Sequence, residues 1–379
     1  MQMIKTWAGI DVSAKTLAAC RWRDGNQNQQ EFSNDAAGHR QMLKWLGKQG
    51  RVCLEATGVY HLQLALTLWK AGVELMVVNP RVAKDFARAM SNRSKTDQVD
   101  ALTLLEYVRR MEFQGWVPPT KAVLELREMG RRLTELRRAS VGEKNRLHAR
   151  KVAAISGVVI ADVTQHVAQI EKRIQQIEKA ALGVICEDEN LREQYEILLG
   201  ARGIARRSAI LLLTELAVLD PTMTVRQIVA YAGLDPRVYE SAMSVHKPAR
   251  ISKVGNARLR AILFMSALSA IRHDRGARLF FARLVARGKK RMQAIVAVMR
   301  KLLHGIWIVL QRRVAFDSSV LFAASLAQAE SSDSAVAADQ PELGQDHPQG
   351  RSAAEELREQ LDPGPAEATR SPNKRSKAA

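Results

Sequence analysis

Four acidic residues in three local contexts have the types and spacing for metal-dependent chemistry at a phosphodiester. They are Asp11 in GIDVSAKTL, Glu55 in RVCLEATGVY, and Asp97 with Asp100 in KTDQVDAL. Transferring a phosphoryl group requires neutralising the charge that grows on the phosphate. A pair of divalent ions about 4 Å apart, held by carboxylates, does this for the attacking and leaving oxygens alike. Oxygen donors of this kind suit magnesium, so the expected cofactor is Mg2+, two ions per site. Any one of these acids alone reads as an ordinary surface residue, since aspartates are common after strands and at helix starts. The chemistry is suggested by all four falling in the order strand, strand, helix.

The elements that must position them follow from local pattern. Thr6 to Val12 reads as a buried strand with Asp11 near its end, and Lys15 to Arg21 as the next strand after a tight turn. Arg51 to Leu54 is a short apolar strand delivering Glu55 just before Gly58 and a helix-like run, Tyr60 to Lys70. A further strand, Val73 to Val78, stops at Asn79-Pro80, because proline ends ladder pairing. Asp97 and Asp100 open a helix running to about Met111, where their spacing puts both on one face and their first-turn position suits the helix dipole. The pattern changes at Trp116-Val117-Pro118-Pro119. From about Thr120 to Leu182 apolar residues recur at helical intervals, which predicts a helical hairpin or coiled coil. Between Lys121 and Lys151 this segment carries 10 bases and 4 acids, including Arg131, Arg132, Arg137 and Arg138. Such a helix could follow a phosphate backbone or simply present a solvated face, and the residues leave both open.

The third region, about Gln194 to Gln311, is predominantly helical. Residues 196–215 read as helix, tight turn at Gly203 and second helix, an arrangement like a helix-hairpin-helix that can offer backbone N–H groups to a DNA phosphate, or can be packing alone. Residues 228–268 place Ser241 and Ser244 on a polar, irregular stretch among Arg237, Lys247, Arg250 and Lys253, before a helix whose first turns carry Arg258 and Arg260. Those are surroundings for a nucleophile attacking phosphate, although a serine needs a base or metal to activate it.

Composition narrows the partner. The chain holds 58 Lys and Arg against 39 Asp and Glu, a net charge of +19. Residues 330–379 contain 10 acids and 6 bases, which leaves 52 bases and 29 acids, or +23, on the first 329. Charge of that size attracts double-stranded DNA or another phosphate polymer through counterion release. No apolar span of about 20 residues predicts a membrane helix, and the short apolar run of MQMIKTWAGIDV is no signal peptide, so a cytoplasmic location without a membrane partner is expected. Cys20, Cys53 and Cys186 have no paired spacing, and the 8 histidines form no cluster, so any metal is held by oxygen. Beyond about Ser325 the chain has almost no large apolar residues and reads as a disordered tail.

Taken together, GIDVSAKTL, LEATGVY, VVNP with KTDQVDA, and the block GLDPRVYESA…KPARISKVGNARLR resemble the DEDD-type transposases of bacterial insertion sequences, over roughly residues 6–310. The resemblance implies an α/β RuvC-like, ribonuclease-H-type domain at 1–117, a basic helical coiled-coil linker at 118–190, a mostly α transposase domain with a helix-hairpin-helix-like element at 191–315, and the tail at 326–379. It implies that Asp11, Glu55, Asp97 and Asp100 bind magnesium and that Ser241 forms a covalent link to DNA. It also implies recombination directed by a structured guide RNA and a homo-oligomer, dimer or tetramer. Arg131, Arg132, Arg137, Arg138, Lys253, Arg258 and Arg260 are the candidate nucleic-acid contacts. The chain departs from the family where Ala242 follows Ser241, where Ser244 stands as a rival, and where ARGIA at 201–205 replaces the usual proline and glycines. A hydrolytic nuclease of branched DNA would use the same acids with water and form no adduct. A non-catalytic nucleic-acid-binding protein would be indifferent to Asp11 and to magnesium.

Overall fold

The computed structural model describes residues 6–47, 50–56, 58–90, 96–241 and 245–327, without the side chains of 238–241 and 245–249. The chain divides into two compact units, Met1–Ala323 and Ala324–Ala379. Every numbered element lies in the first. The expected tail falls outside the described residues from 328 onward.

The first part of the chain runs β1 (Thr6–Val12), β2 (Thr16–Arg23), β3 (Asn26–Ser33), α1 (Ala36–Leu46), β4 (Gly50–Glu55), α2 (His61–Lys70), β5 (Glu74–Val78), α3 (Pro80–Ala89) and α4 (Asp97–Arg110). Its five-stranded sheet has the order β3-β2-β1-β4-β5; β1, β2 and β3 pair antiparallel, while β4 joins β1 and β5 in parallel. Because side chains alternate across a strand, Ala8, Ile10 and Val12 turn to one face and Trp7, Gly9 and Asp11 to the other. The first set packs with Met42 and Leu46 of α1 and Leu64, Ala65 and Leu68 of α2. The second face lies under α4, where Cys20, Cys53, Ala101, Leu104 and Leu105 are buried.

The sequence reading of β1, β4, β5, α2 and α4 matches these elements to within about two residues, and it missed β3, α1 and α3. β3 is nearly all polar and exposed, NQNQQEFS, so no apolar alternation marks it; its backbone pairing with β2 makes it a strand. Proline begins α3 instead of only ending β5, since its missing N–H costs nothing at a first helical position and Asn79 caps the helix by accepting from the Arg81 N–H at 2.9 Å.

Past residue 120 come α5 (Lys121–Ala153), α6 (Gly157–Glu187), α7 (Glu189–Leu199), α8 (Arg206–Leu216), α9 (Val225–Ala232), β6 (Pro236–Ser241), β7 (Val245–Ile251), α10 (Ala257–His273), α11 (Arg275–Ala286), α12 (Arg291–Arg312) and α13 (Ser318–Leu321). The long helical segment is a hairpin: α5 ends at Ala154 in the left-handed conformation, and Ser156 caps α6. One apolar core runs from Val123 to Phe322 through the hairpin and the later helices. The turn at Gly203 between α7 and α8 packs against the α10 backbone at Ser266 and Ala270. α12 is the single described helix long and apolar enough to cross a bilayer, with a mean hydropathy of 1.5, and more than half of that window is buried in the core.

Candidate active site

Parallel pairing of the two central strands decides where the first two acids meet. In the register Gly9 faces Cys53 and Ile10 faces Leu54, so the next residues along, Asp11 and Glu55, lie side by side at the carboxyl ends of β1 and β4. Both point to the face covered by α4. A Cβ on Gly9 would stand 2.1 Å from the Leu105 nitrogen and 2.2 Å from the Ala101 oxygen, so only glycine lets the α4 backbone lie directly on β1. This close approach brings the start of α4 over Asp11, and sequence reasoning had not used Gly9 at all. The signal was available in GID, a glycine two residues from an acid and therefore on the same strand face.

α4 begins where it does because the Thr96 hydroxyl accepts from the Val99 N–H at 3.3 Å. Asp97 and Asp100 occupy its first turn, with Asp97 exposed and Asp100 half-buried. The β1–β2 turn is held by Ser13, whose Oγ accepts from the Thr16 N–H at 2.9 Å. Asn34 ties that turn to the chain after Glu55, donating from Nδ2 to the Ser13 carbonyl at 2.8 Å and to the Tyr60 carbonyl at 3.3 Å. Beside Asp97, the polar edge strand β3 contributes Gln29, Gln30 and Glu31 to a depression of about 170 Å³ that Gln98 also lines.

Electrostatics tie Asp11 to the other three carboxylates. The Asp11 carboxyl is raised from 3.8 to about 6, first by burial and then by the negative charges of Asp100, Asp97 and Glu55. The neighbouring Cys53 thiol is pushed up to about 12, chiefly by burial, and is inert at neutral pH. An all-oxygen donor set with mutual repulsion fits a hard divalent cation. Among the described residues, however, no three His, Cys, Asp or Glu side chains are grouped to hold a metal ion. The two findings describe different ranges, because coulombic influence extends over several ångströms while magnesium takes its ligands at about 2 Å. The strand register and the close packing of α4 on β1 bring the backbones carrying the acids to one face of the sheet.

The serine block differs from its reading as an irregular loop. β6 and β7 pair antiparallel, with Pro236 opposite Ile251 and Ser241 opposite Val245. Ser241 ends β6, its side chain undescribed, and Ser244 lies outside the described residues. The base of the hairpin is pinned by GLDP and SKVGN: the Ser252 N–H donates to the Asp235 carbonyl at 2.9 Å, the Ser252 hydroxyl to the Asp235 carboxylate at 2.5 Å, and the Asn256 N–H to the Tyr231 carbonyl at 2.7 Å. Gly255, at φ 137°, permits that last contact. Asn256 caps α10 and also donates to Glu215 at 2.5 Å and to the Tyr231 hydroxyl at 3.0 Å.

The candidate cations fall into two groups. Lys253, Arg258 and Arg138 are exposed. Arg260 donates to the Ala232 carbonyl at 2.9 Å, and Arg131, Arg132 and Arg137 are ion-paired with Glu128, Glu135 and Glu178.

Comparison with known proteins agrees along the chain. Residues 8–150 match the DEDD-type IS110 family model described as "Transposase", and residues 195–282 match that of "Transposase IS116/IS110/IS902 family". The "Pilin gene-inverting protein" of Moraxella bovis is 26% identical over 84% of this chain and 99% of its own length. The protein of that name from Moraxella lacunata is 26% identical over the same shares. A protein of insertion element IS110 in Streptomyces coelicolor is 27% identical over 32% of this chain and 30% of that one. The solved structure of T. thermophilus RuvC in complex with a Holliday junction substrate is similar over 29% of this chain and 98% of that chain, at 13% identity and a TM-score of 0.23.

Proposed function

The chain belongs to the IS110 family of transposases, DNA-binding recombination enzymes, and we propose that it cuts and rejoins DNA by dividing the work between a carboxylate site and Ser241. The observation that carries this reading is the convergence of Asp11, Glu55, Asp97 and Asp100, seen in the raised Asp11 carboxyl. The domain is read as RuvC-like and ribonuclease-H-type, a reading supported by the mixed sheet with Asp11 on its central strand. Asp11, Glu55, Asp97 and Asp100 would hold magnesium, two ions per site, and the bound metal would neutralise charge developing on the scissile phosphate.

The protein's own groups do the rest. Asp11 and Glu55 come from the rigid sheet, and Asp97 and Asp100 from a helix locked to it at Gly9, so the site is fixed by backbone packing. The Ser241 hydroxyl attacks phosphorus: an Oγ–P bond forms as the bond from phosphorus to the leaving sugar oxygen breaks, the serine proton passes to a base, and the leaving oxygen takes up a proton. The phosphodiester is conserved as a serine ester, which a later DNA hydroxyl attacks to release the serine. Lys253 and Arg258, exposed near the hairpin's base, would receive backbone phosphates. We further propose that sequence choice rests on base pairing with a structured guide RNA and that the protein acts as a dimer or tetramer, both by analogy with the family it belongs to.

The test is a denaturing gel of purified protein, magnesium, flanking RNA and DNA bearing the element junction. The expected result is a protein–DNA adduct that is lost in Ser241→Ala and in Asp11→Ala. Magnesium-dependent cutting with no adduct would mean that water is the nucleophile, and an adduct surviving Ser241→Ala would move the role to Ser244.

A further inference from the structure

A dense run of positive charge lies among residues not considered so far. From Arg272 at the end of α10 to Lys301 in α12, the chain holds ten Lys and Arg against a single acid, Asp274. That acid is 3% exposed and its carboxylate accepts from the Ala277 N–H at 2.8 Å, so it caps α11 from inside. The stretch therefore carries +9 of the chain's +19. Among the described residues, no ion pair involves Arg287, Lys289, Lys290 or Arg291, all of which are exposed. In the α5 hairpin, by contrast, three of the four candidate arginines already have carboxylate partners.

The four cations form the connection RGKKR between α11 and α12 and continue onto the first residue of α12, which has no acid in its first turn. Positive side chains at a helix N-terminus add to the positive end of its dipole, an arrangement that costs stability unless an anion sits there. The crowding extends inward: the Lys301 ammonium is held below its usual range by burial and by Arg283, and the His304 imidazole likewise by burial and by Arg300 and Lys301.

The surface also says which form of nucleic acid it suits. Recognition of unpaired bases depends on open aromatic faces. The aromatic residues in the stretch are Phe280 and Phe281, both only partly exposed. Arg283 and Lys301 stand over the Phe280 ring at 5.5 and 5.1 Å, and Lys301 is 5.6 Å from the Phe322 ring. What remains is a set of long cations without a stacking platform, which is the chemistry of backbone phosphate contact. We propose that the α11–α12 turn, through Arg287, Lys289, Lys290 and Arg291, is the main duplex-DNA phosphate-binding surface of this chain.

The test uses the full-length protein with EDTA present and follows anisotropy of a labelled random-sequence DNA duplex across a salt series. Replacing Lys289, Lys290 and Arg291 together by Ala removes three phosphate contacts, so the slope of log affinity on log salt becomes shallower by about 2.7 and affinity near 0.1 M salt falls on the order of 10²-fold. The paired Arg131→Ala, Arg132→Ala variant shifts the slope by less than about 1. Lys289→Arg with Lys290→Arg keeps the charge and retains wild-type binding, separating loss of charge from loss of fold. An unchanged slope in the triple variant overturns the proposal. Loss of binding to an RNA hairpin with duplex DNA binding intact also overturns it, assigning the surface to RNA. Because binding is read without metal or cleavage, the result is independent of Ser241 and of the carboxylates.

Discussion

Asp11 is the residue through which the site can be measured. A carboxyl raised from 3.8 to about 6 in the folded chain binds its proton more tightly than in the unfolded chain. Its favourable contribution to stability is thus full below about pH 4 and is lost as pH rises through about 6. A rise of this size corresponds to at most about 3 kcal/mol; Asp11 is only half-buried, so solvent screening reduces this to about 1–2 kcal/mol. Asp11→Asn should therefore stabilise the metal-free protein at pH 7.5 by about 1–2 kcal/mol and have a much smaller effect at pH 4. Urea midpoints at both pH values, taken with a chelator, check this. Equal effects at the two pH values would mean that neither burial nor the other three carboxylates raise the Asp11 carboxyl. Adding magnesium should reverse the order at pH 7.5, because the wild type then gains the ligand's binding energy and the variant gains less.

At the scale of elements, what the sequence revealed depended on whether burial drove the element. β1, β4 and α4 bury apolar faces, so their apolar pattern placed Asp11, Glu55, Asp97 and Asp100 on the right elements. β3 is a polar strand held by its backbone pairing with β2, and period-based reading has nothing to detect in it; the sequence of the β6–β7 hairpin reads as an irregular stretch. The hairpin's posture is set at its base by Asn256, which joins α8, α9 and α10 through Glu215 and Tyr231. Glu215 is 2% exposed, so Asn256→Ala removes both a helix cap and the amide donor to a buried carboxylate, at a cost of about 2–4 kcal/mol. Asn256→Asp distinguishes the two roles. Aspartate caps a helix as well as asparagine does, yet here it sets a second carboxylate against Glu215. We expect it to destabilise at least as much as Ala at pH 7.5 and to speed hydrogen exchange across residues 236–251. Wild-type stability in Asn256→Asp would reduce the network to simple capping.

At the scale of the whole molecule, the apolar residues fall into cores that share no member: those around the five-stranded sheet, built from residues before 120, and the one running from Val123 to Phe322. Trp116 is the last large apolar side chain packed on the sheet side, and its N–H donates to the Leu75 carbonyl at 2.6 Å. Separate cores predict separate cooperative units, since cooperativity follows buried apolar contact. The tryptophans make this measurable: five of the six lie at or before residue 116, and Trp307 alone reports the second core, its Nε1–H bonded to the Met223 carbonyl at 2.8 Å. Helical ellipticity, by contrast, comes mostly from α5 to α12. In a urea titration, tryptophan fluorescence and far-ultraviolet circular dichroism should therefore give different midpoints. Magnesium should shift the fluorescence midpoint upward while leaving the main ellipticity change in place, because all four carboxylates belong to the sheet side. Coincident transitions by both probes, moving together on adding magnesium, would show instead that the two cores fold as one unit and that the carboxylate site reports on the entire chain.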